Sequence, residues 1–338
     1  MEAILYEPLK DKTLKCNLCN HRCIIKDGER GICGVRENKG GTLITLVYGR
    51  IIASHIDPIE KKPLYHCMPG SLSFSIATVG CNFKCLFCQN ADISQMPENR
   101  SGLIMGENRN PEDIVNGAIK NNCRSISYTY TEPTIFFEFA YETAKIAHKK
   151  GIKNIFVTNG YMTRETLELA APYLDAANVD LKAYSDDFYK KYCGARLEPV
   201  KETLKLMKKM GILVEITTLL IPGLNDGYSE IEELASFISG SLGPETPWHI
   251  SRFHPTYKML DRPPTPVGNI VKAREIGINC GLRYVYVGNV PGENGENTFC
   301  YNCKKILINR IGFQIRQNLV ENSRCPFCGV LIDGIGMQ

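Results

Sequence analysis

The chain has 338 residues, of which 43% are hydrophobic and 22% are charged, so it can bury one barrel-sized core with small appendages. Its net charge is +4 with acids and bases interspersed, which argues against a nucleic-acid-binding stripe or an anionic membrane surface. Its most apolar stretch, residues 212–224, is too short and polar to span a bilayer, and residues 1–15 lack the apolar core of a signal peptide. We therefore predict a cytoplasmic protein.

The chain contains 15 cysteines, and most of them fall in three clusters. Without an export signal, such clusters indicate metal ligands and not disulfides. The first cluster lies in residues 1–40, where glycines between the cysteines suit tight ligand loops. Zinc and an auxiliary iron–sulfur cluster both fit four cysteines, and spacing does not choose between them. His21 lies inside the cluster, and we expect it to stay outside the ligand set. The four ligands, called here the N-terminal cysteine set, are Cys16, Cys19, Cys23 and Cys33.

Residues 41–70 are predicted to form a β-hairpin followed by a linker. Two strand-like runs, 42–47 and 50–54, are separated by a Tyr-Gly pair. The segment 57–66 that follows is charged and punctuated by prolines. We expect it to be a solvated bridge to the first strand of the next domain. Contact of Lys61, Lys62 and His66 with a metal cluster or a substrate is the alternative.

Residues 71–290 alternate strand-like and helix-like segments. Apolar runs followed by amphipathic segments predict a mostly parallel sheet with helices outside. Rolled up, such a sheet is a full or partial (β/α) barrel. The predicted strands are residues 72–79, 124–130, 154–158, 177–182, 213–220, 248–253 and 282–287.

A loop-like linker, residues 291–297, leads to two C-x2-C pairs separated by 21 residues. Residues 305–309 and 312–317 alternate enough to form two short strands between the pairs. Paired knuckles on a hairpin are typical of a zinc ribbon, with a rubredoxin-like single-iron site as the alternative. The four ligands are Cys300, Cys303, Cys325 and Cys328.

These patterns predict an α/β protein with small metal-binding modules at both ends of a barrel. The four-cysteine module and hairpin linker occupy residues 1–70, the barrel occupies 71–290, and the zinc-ribbon-like module occupies 291–338. The ribbon is too small to bury a core of its own. Metal binding should therefore supply most of its folding energy.

The remaining cysteine cluster follows the first predicted barrel strand. Cys81, Cys85 and Cys88 are spaced C-x3-C-x2-C, with the aromatic Phe87 just before the third. Three thiolates this close can hold three irons of a cubane cluster and cannot close a four-ligand site alone. The iron left open is a position where a substrate can bind. A three-cysteine zinc site and buried free thiols are the alternatives.

Polar residues follow most of the predicted barrel strands. The active site of an α/β barrel lies at the C-terminal ends of its strands, so we expect these residues near the cysteine loop. Any one of them alone could instead be a helix cap or a rim residue. The set comprises Thr131, Glu132, Pro133, Asn159, Asp180, Lys182, Thr218, His254 and Asn289.

The cysteine loop after a strand, with an aromatic before its last cysteine, resembles the radical S-adenosylmethionine (SAM) superfamily. The N-terminal cysteines, the TEP motif, the NVDLKA and WHISRFHP segments and the ribbon look like its pyruvate formate-lyase activating enzyme branch. Within that branch the chain resembles the AmmeMemoRadiSam system radical SAM enzymes over nearly its whole length. The resemblance implies a 4Fe–4S cluster whose open iron chelates SAM, and reductive cleavage of SAM to methionine and a 5′-deoxyadenosyl radical.

The resemblance also implies roles for individual residues. Phe87 is expected against the adenine. Residues 131–133 match the glycine-rich motif that receives the methionine amino group, but two glycines are replaced, so Glu132 or nearby carbonyls become the acceptor. Asp180 and Lys182 match a pair near the methionine carboxylate and the substrate. The further candidates are Asn159, Thr218 and Asn289 for the ribose or adenine, and His254 for the methionine end or the substrate.

The leading hypothesis is an enzyme that abstracts hydrogen from an undefined peptide, protein or small molecule. Activation of a glycyl-radical enzyme is the alternative, although activases of this branch carry extra cysteines after the cluster loop and this chain carries its modules at the two ends. A non-catalytic iron–sulfur and zinc-ribbon protein that binds a partner is the contrasting class. The resemblance implies flavodoxin or ferredoxin as electron donor, and Memo-like and AMMECR-like proteins as partners.

Overall fold

The structure, a computed structural model, describes residues 1–290 and 294–338. The start of the predicted linker, residues 291–293, lies outside the described residues. No helix in the described ranges is long and apolar enough to cross a bilayer. In chain order the strands are β1 (Tyr6–Pro8), β2 (Leu14–Cys16), β3 (Ile24–Ile25), β4 (Arg36–Lys39), β5 (Thr42–Thr45), β6 (Arg50–Ile51), β7 (Ala53–Pro58), β8 (Leu72–Ala77), β9 (Glu107–Asn108), β10 (Ser125–Tyr128), β11 (Lys153–Thr158), β12 (Ala176–Asp180), β13 (Leu213–Leu220), β14 (Trp248–Arg252), β15 (Val285–Gly288), β16 (Thr298–Phe299), β17 (Ile306–Ile311) and β18 (Gln314–Asn318).

The helices lie mostly between the strands of the middle region. Two short π-helical turns, Tyr189–Cys193 and Ile238–Leu242, extend α6 and α8. The α-helices are α1 (Ala91–Ser94), α2 (Met96–Asn99), α3 (Pro111–Lys120), α4 (Phe137–Lys149), α5 (Arg164–Ala170), α6 (Asp186–Phe188), α7 (Leu197–Lys209), α8 (Tyr228–Phe237) and α9 (Val267–Asn279).

The core of the fold is an eight-stranded sheet in the described residues, ordered β15-β14-β13-β12-β11-β10-β8-β7. Strands β8 and β10 to β15 run parallel, and β7 joins the edge antiparallel to β8. Within the described residues β7 and β15 do not pair with each other, so the barrel is partial. The predicted α/β partial barrel with a mostly parallel sheet is confirmed.

The predicted hairpin of residues 42–47 with 50–54 is wrong. β5 pairs with β4, which precedes it, and Gly40 and Gly41 alone connect the two strands. Both glycines have positive φ, 64° and 94°, as a two-residue hairpin turn of the favoured hand requires. The second run divides into β6, which pairs with β9, and β7, which joins the barrel sheet.

The segment after β7 is not the solvated bridge that its charges predicted. Lys62 is 2% exposed and His66 is fully buried. Lys62 forms an ion pair of 2.7 Å with Asp57, and burial lowers the pKa of Lys62 to about 8 despite that partner. The segment can be buried because residues distant in the sequence satisfy it: Glu215 of β13 accepts hydrogen bonds from the backbone N–H groups of Tyr65 and His66.

The C-terminal module docks on this same segment. The predicted strands of the ribbon are present as β17 and β18, which pair antiparallel. Arg310 of β17 donates to the Tyr65 carbonyl at 3.1 Å, and Asp333 lies 3.0 Å from Arg283. Glu215 and its partner His249 lie near the starts of their strands, so the ribbon covers the N-terminal end of the barrel. The cysteine loop lies at the opposite, C-terminal end of the barrel.

Candidate active site

The three-cysteine loop leaves the C-terminal end of β8 through a glycine that no other residue could replace without movement. Gly80 has φ of +99°, and a Cβ there would lie 2.5 Å from Val35 and 3.1 Å from the Cys33 carbonyl oxygen. The loop is therefore pressed against the N-terminal module. It begins at the end of the barrel where parallel-barrel enzymes carry their active sites.

Backbone contacts fix the shape of this loop. The N–H groups of Lys84 and Leu86 donate to the carbonyls of Cys193 and Tyr192, at 2.8 and 3.0 Å. Gln95 donates to the Phe83 carbonyl at 3.0 Å from the helical turns that follow the loop. The loop is thus braced on two sides, so its cysteines are held in place by groups distant in the sequence.

The three loop cysteines form no disulfide, and burial raises the pKa of Cys81 and Cys88. A hydrogen bond from the Cys193 thiol lowers the pKa of Cys85, against the effect of burial. Across the described residues, the three sulfurs do not all lie within 4.8 Å of one another, as the ligands of a single ion would. The spread suits a cubane, in which each thiolate binds a different iron.

Asp180 and Lys182 lie beside the loop. The Lys182 ammonium is 2.9 Å from the Asp180 carboxylate and 5.9 Å from the centre of the Phe87 ring. Burial acts to lower the pKa of Lys182, but Asp180 and the thiols of Cys85 and Cys193 outweigh it and raise that pKa well above its usual value. A permanent positive charge therefore stands next to the cysteine loop, where it can meet an anion.

Asn159 is also brought to the loop. Its side-chain amide donates to the Asn82 side chain at 2.7 Å and lies 3.9 Å from the Cys81 sulfur. The residue follows β11 and is 5% exposed. Its amide supports the cysteine loop directly, a role that differs from the expected ribose or adenine contact.

The Glu132 carboxylate accepts hydrogen bonds from several protein groups. It accepts from the backbone N–H of Asn159 at 2.8 Å, from the Thr158 hydroxyl at 2.7 Å, and from both the backbone and the hydroxyl of Thr134. Pro133 follows it and opens the 3-10 helix Pro133–Phe136. Burial raises the pKa of Glu132. The carboxylate thus ties the strand ends together. The neighbouring carbonyls of Thr129, Tyr130 and Glu132 also accept hydrogen bonds within the protein.

The other candidates are not gathered at the loop. Successive side chains along β13 point to opposite faces of the sheet. Thr217 points inward and contacts Asn178, whereas Thr218 points to the helix layer, where it accepts from the Trp248 indole at 2.9 Å. His254 and Asn289 follow β14 and β15 and are exposed at the rim. The structure thus separates these three from the set at the loop.

Two residues near the loop were not predicted as part of the site. Asn82 connects the loop to Asn159, and its carbonyl accepts from the His21 ring nitrogen at 2.7 Å. Cys193 reaches Cys85 from a π-helical turn. The sequence shows Cys193 only as a lone cysteine in a loop, and no spacing rule connects it to the cluster.

The ribbon cysteines form a compact four-sulfur group. Cys300 and Cys328 are 3.6 Å apart, Cys303 and Cys325 are 3.7 Å apart, and all four sulfurs lie within 4.8 Å of one another. Tetrahedral zinc with Zn–S bonds of 2.3 Å spaces its sulfurs by about 3.8 Å. A hydrogen bond from the Val330 backbone lowers the pKa of Cys328 to about 6. The residues therefore fit an extra metal site.

Removing the Glu132 carboxylate is expected to destabilise the protein. Glu132→Ala leaves buried donors of Thr134, Thr158 and Asn159 without an acceptor, so the free energy of unfolding should fall by about 3 kcal/mol. Urea unfolding measures it. Glu168→Ala, which truncates an exposed glutamate on α5, is the control. Unchanged stability with weakened SAM binding would show instead that Glu132 serves the ligand.

Comparison with known proteins agrees with this site. A family model described as the radical SAM superfamily matches residues 75–238. The chain is 50% identical over 334 residues to the uncharacterized protein MJ0808 of Methanocaldococcus jannaschii, covering 98% of each chain. The chain belongs to the radical SAM superfamily and is an enzyme of that superfamily. Membership implies a 4Fe–4S cluster and SAM, and Cys81, Cys85 and Cys88 are the residues that fit the cluster.

Two further comparisons place the chain within the superfamily. It is 23% identical to the pyruvate formate-lyase-activating enzyme of Streptococcus mutans, over 50% of this chain and 66% of that protein. Streptococcus suis SuiB bound to S-adenosylmethionine superposes with a TM-score of 0.51 and 16% identity, covering 69% of this chain and 54% of that chain. The chain is thus similar to pyruvate formate-lyase-activating enzymes in sequence, and SuiB shares its fold.

Proposed function

We propose that the protein reductively cleaves SAM and uses the product radical to abstract hydrogen from an undefined peptide, protein or small molecule. The observation that carries the proposal is the convergence of the three loop cysteines, which form no disulfide, and the partly buried Lys182 ammonium at the C-terminal end of the partial barrel. When bound, the cluster supplies the one electron that splits SAM into methionine and a 5′-deoxyadenosyl radical. The experiment is detection of 5′-deoxyadenosine by anaerobic protein given SAM and reductant.

The surrounding residues bind and orient SAM in this proposal. Lys182 attracts the methionine carboxylate, and Asp180 holds the ammonium in place at 2.9 Å. Phe87 offers a buried aromatic side chain for the adenine. Glu132 keeps the ends of the strands together, and the Thr131 carbonyl is the acceptor proposed for the methionine amino group.

Lys182→Met is expected to weaken SAM binding without removing the loop cysteines' cluster. The change deletes one charge-assisted contact while keeping the length of the side chain, at a cost of about 1.5–3 kcal/mol in binding free energy. Anaerobic calorimetry measures the affinity, and iron analysis checks the cluster. Lys205→Met, on the exposed face of α7, is the matched control. Equal SAM affinity in the wild type and Lys182→Met would show that the pocket is misplaced.

Activation of a glycyl-radical enzyme is the second candidate, favoured by the similarity to the Streptococcus mutans activating enzyme. The ribbon docks at the N-terminal end of the barrel and therefore does not cover the cysteine loop, where a protein substrate would bind. Resemblance to the AmmeMemoRadiSam branch supports Memo-like and AMMECR-like proteins as partners, with flavodoxin or ferredoxin as electron donor. Deuterium transfer from a labelled partner protein to 5′-deoxyadenosine, read by mass spectrometry, distinguishes a protein substrate from a small molecule.

A further inference from the structure

The N-terminal cysteine set lies in direct contact with the cysteine loop of the barrel. The Cys33 carbonyl oxygen is 3.1 Å from where a Cβ on Gly80 would lie, and Gly80 precedes the ligand Cys81. The backbone of Cys19 pairs with Met162, beyond the end of β11. The His21 ring nitrogen donates to the Asn82 carbonyl at 2.7 Å, so that nitrogen is not available as a ligand. The N-terminal cysteine set thus packs directly against the cysteine loop and supports it.

The spacing of its sulfurs differs from that of the ribbon. In the parts of the chain that the structure describes, the ribbon is the one cysteine group whose sulfurs all lie within 4.8 Å of one another. No three sulfurs of the N-terminal cysteine set meet that distance, and neither do the three of the barrel loop. The ribbon matches the spacing of about 3.8 Å around one zinc ion. The N-terminal set shares with the barrel loop a sulfur arrangement that is not compact enough for one zinc ion.

A second observation is an incompletely paired charge beside the set. Arg36 is 1% exposed, and it donates through Nη2 to the Ile4 carbonyl at 2.8 Å and to Glu138. Its Nε and Nη1 are buried and have no hydrogen-bond partner among the described residues. A buried donor without an acceptor costs about 1–3 kcal/mol, so such atoms call for a ligand.

Arg36 lies beside the set. Its backbone carbonyl accepts from the Gly31 N–H at 2.9 Å, and a Cβ on Gly31 would lie 3.6 Å from the Cys23 sulfur. Burial acts to lower the pKa of Arg36, but Glu138 and then Cys16, Cys33 and Cys19 outweigh it and raise that pKa. Arg36 is thus placed to donate to an anionic metal–sulfur centre.

We propose that the N-terminal cysteine set binds a [4Fe–4S] cluster, and that the guanidinium of Arg36 compensates its negative charge. Four cysteines saturate such a cluster, one at each iron, so this second centre has no open iron for a substrate. Zinc at the same place would have no redox chemistry, whereas an iron–sulfur cluster adjoining the barrel loop can exchange electrons. The proposal does not depend on SAM cleavage at the barrel.

The composition of the site is tested in a variant that lacks the barrel cluster. Protein carrying Cys81→Ala, Cys85→Ala and Cys88→Ala is purified anaerobically without added metal, and iron, zinc and acid-labile sulfide are counted per chain. We expect about four iron and four sulfide, together with one zinc from the ribbon. Two zinc without sulfide, or one zinc without iron in a folded protein, would overturn the proposal. Adding Cys23→Ala and Cys33→Ala should remove the remaining iron.

The role of Arg36 is tested through the reduction potential of that cluster in the same background, by a redox titration followed by electron paramagnetic resonance. Arg36→Gln removes a positive charge that stabilises the reduced form, so the potential should fall, while Arg36→Lys should keep it near the original value. Glu138→Gln removes the competing negative charge and should raise the potential, which keeps the test open if Arg36→Gln fails to fold. Unchanged potentials in Arg36→Gln and Glu138→Gln would overturn the assignment of Arg36.

Discussion

Replacing Cys81, Cys85 and Cys88 together by alanine is expected to reduce SAM cleavage to the level of a protein-free control. The variant loses every protein ligand of the barrel cluster, and no other residue of the described loop can replace three thiolates at this spacing. Formation of 5′-deoxyadenosine under anaerobic conditions, measured by chromatography and mass spectrometry, reads the outcome.

Cys280→Ala is the matched control for this loss, because Cys280 ends α9 on the helix layer and belongs to none of the three cysteine clusters. It should cleave SAM at the wild-type rate. Retained turnover in the triple variant would remove the barrel loop from the chemistry, whatever metal the N-terminal module holds.

Loss of the ribbon metal is expected to have a large effect on structure and little effect on SAM cleavage. Cys300→Ser with Cys303→Ser removes two of four ligands, so one zinc per chain should be lost. Structural zinc supplies about 10–16 kcal/mol in isolated zinc-finger peptides, and the ribbon cluster buries few side chains of its own. Residues 296–338 should become sensitive to protease, measured by limited proteolysis and mass spectrometry.

SAM cleavage should persist in the ribbon variant, because the ribbon docks at the end of the barrel opposite the cysteine loop. Cys280→Ser provides the control for the substitution itself. Iron at this site in the wild type would support the rubredoxin-like alternative. Loss of the barrel cluster in the variant would show that the two ends of the barrel are coupled.

The cysteine sites could be predicted from sequence because their ligands are close together in the chain. The C-x3-C-x2-C loop and the paired knuckles each need only a turn to bring their sulfurs together. The position of a residue directly after a predicted strand is equally informative about the site. The C-terminal ends of parallel strands meet at one end of the barrel, and Asp180 and Lys182 lie beside the cysteine loop for this reason. At these positions the local sequence pattern and the topology of the sheet predict the same location for the side chains.

The sequence-based predictions fail where a contact with a residue far along the chain determines whether a side chain is buried. Charges between residues 57 and 66 indicate a solvated segment until Glu215 and Arg310, far along the chain, are seen to satisfy it. Thr218 is predicted near the cysteine loop from its place on a barrel strand. Successive side chains of a strand point to opposite faces, and Thr218 lies on the face that carries the Trp248 indole. Glu132 carries the charge expected of a SAM ligand, but Thr158 and Asn159 occupy it. None of these contacts has a local sequence signal.

The products formed by the wild-type protein test the central claim most directly. Anaerobically purified protein is incubated with SAM and a low-potential reductant, and methionine and 5′-deoxyadenosine are quantified by mass spectrometry. Reductive cleavage at the barrel loop predicts both products in equal amounts, dependent on the reductant. Absence of 5′-deoxyadenosine from protein that carries the intact barrel cluster would contradict the proposed function.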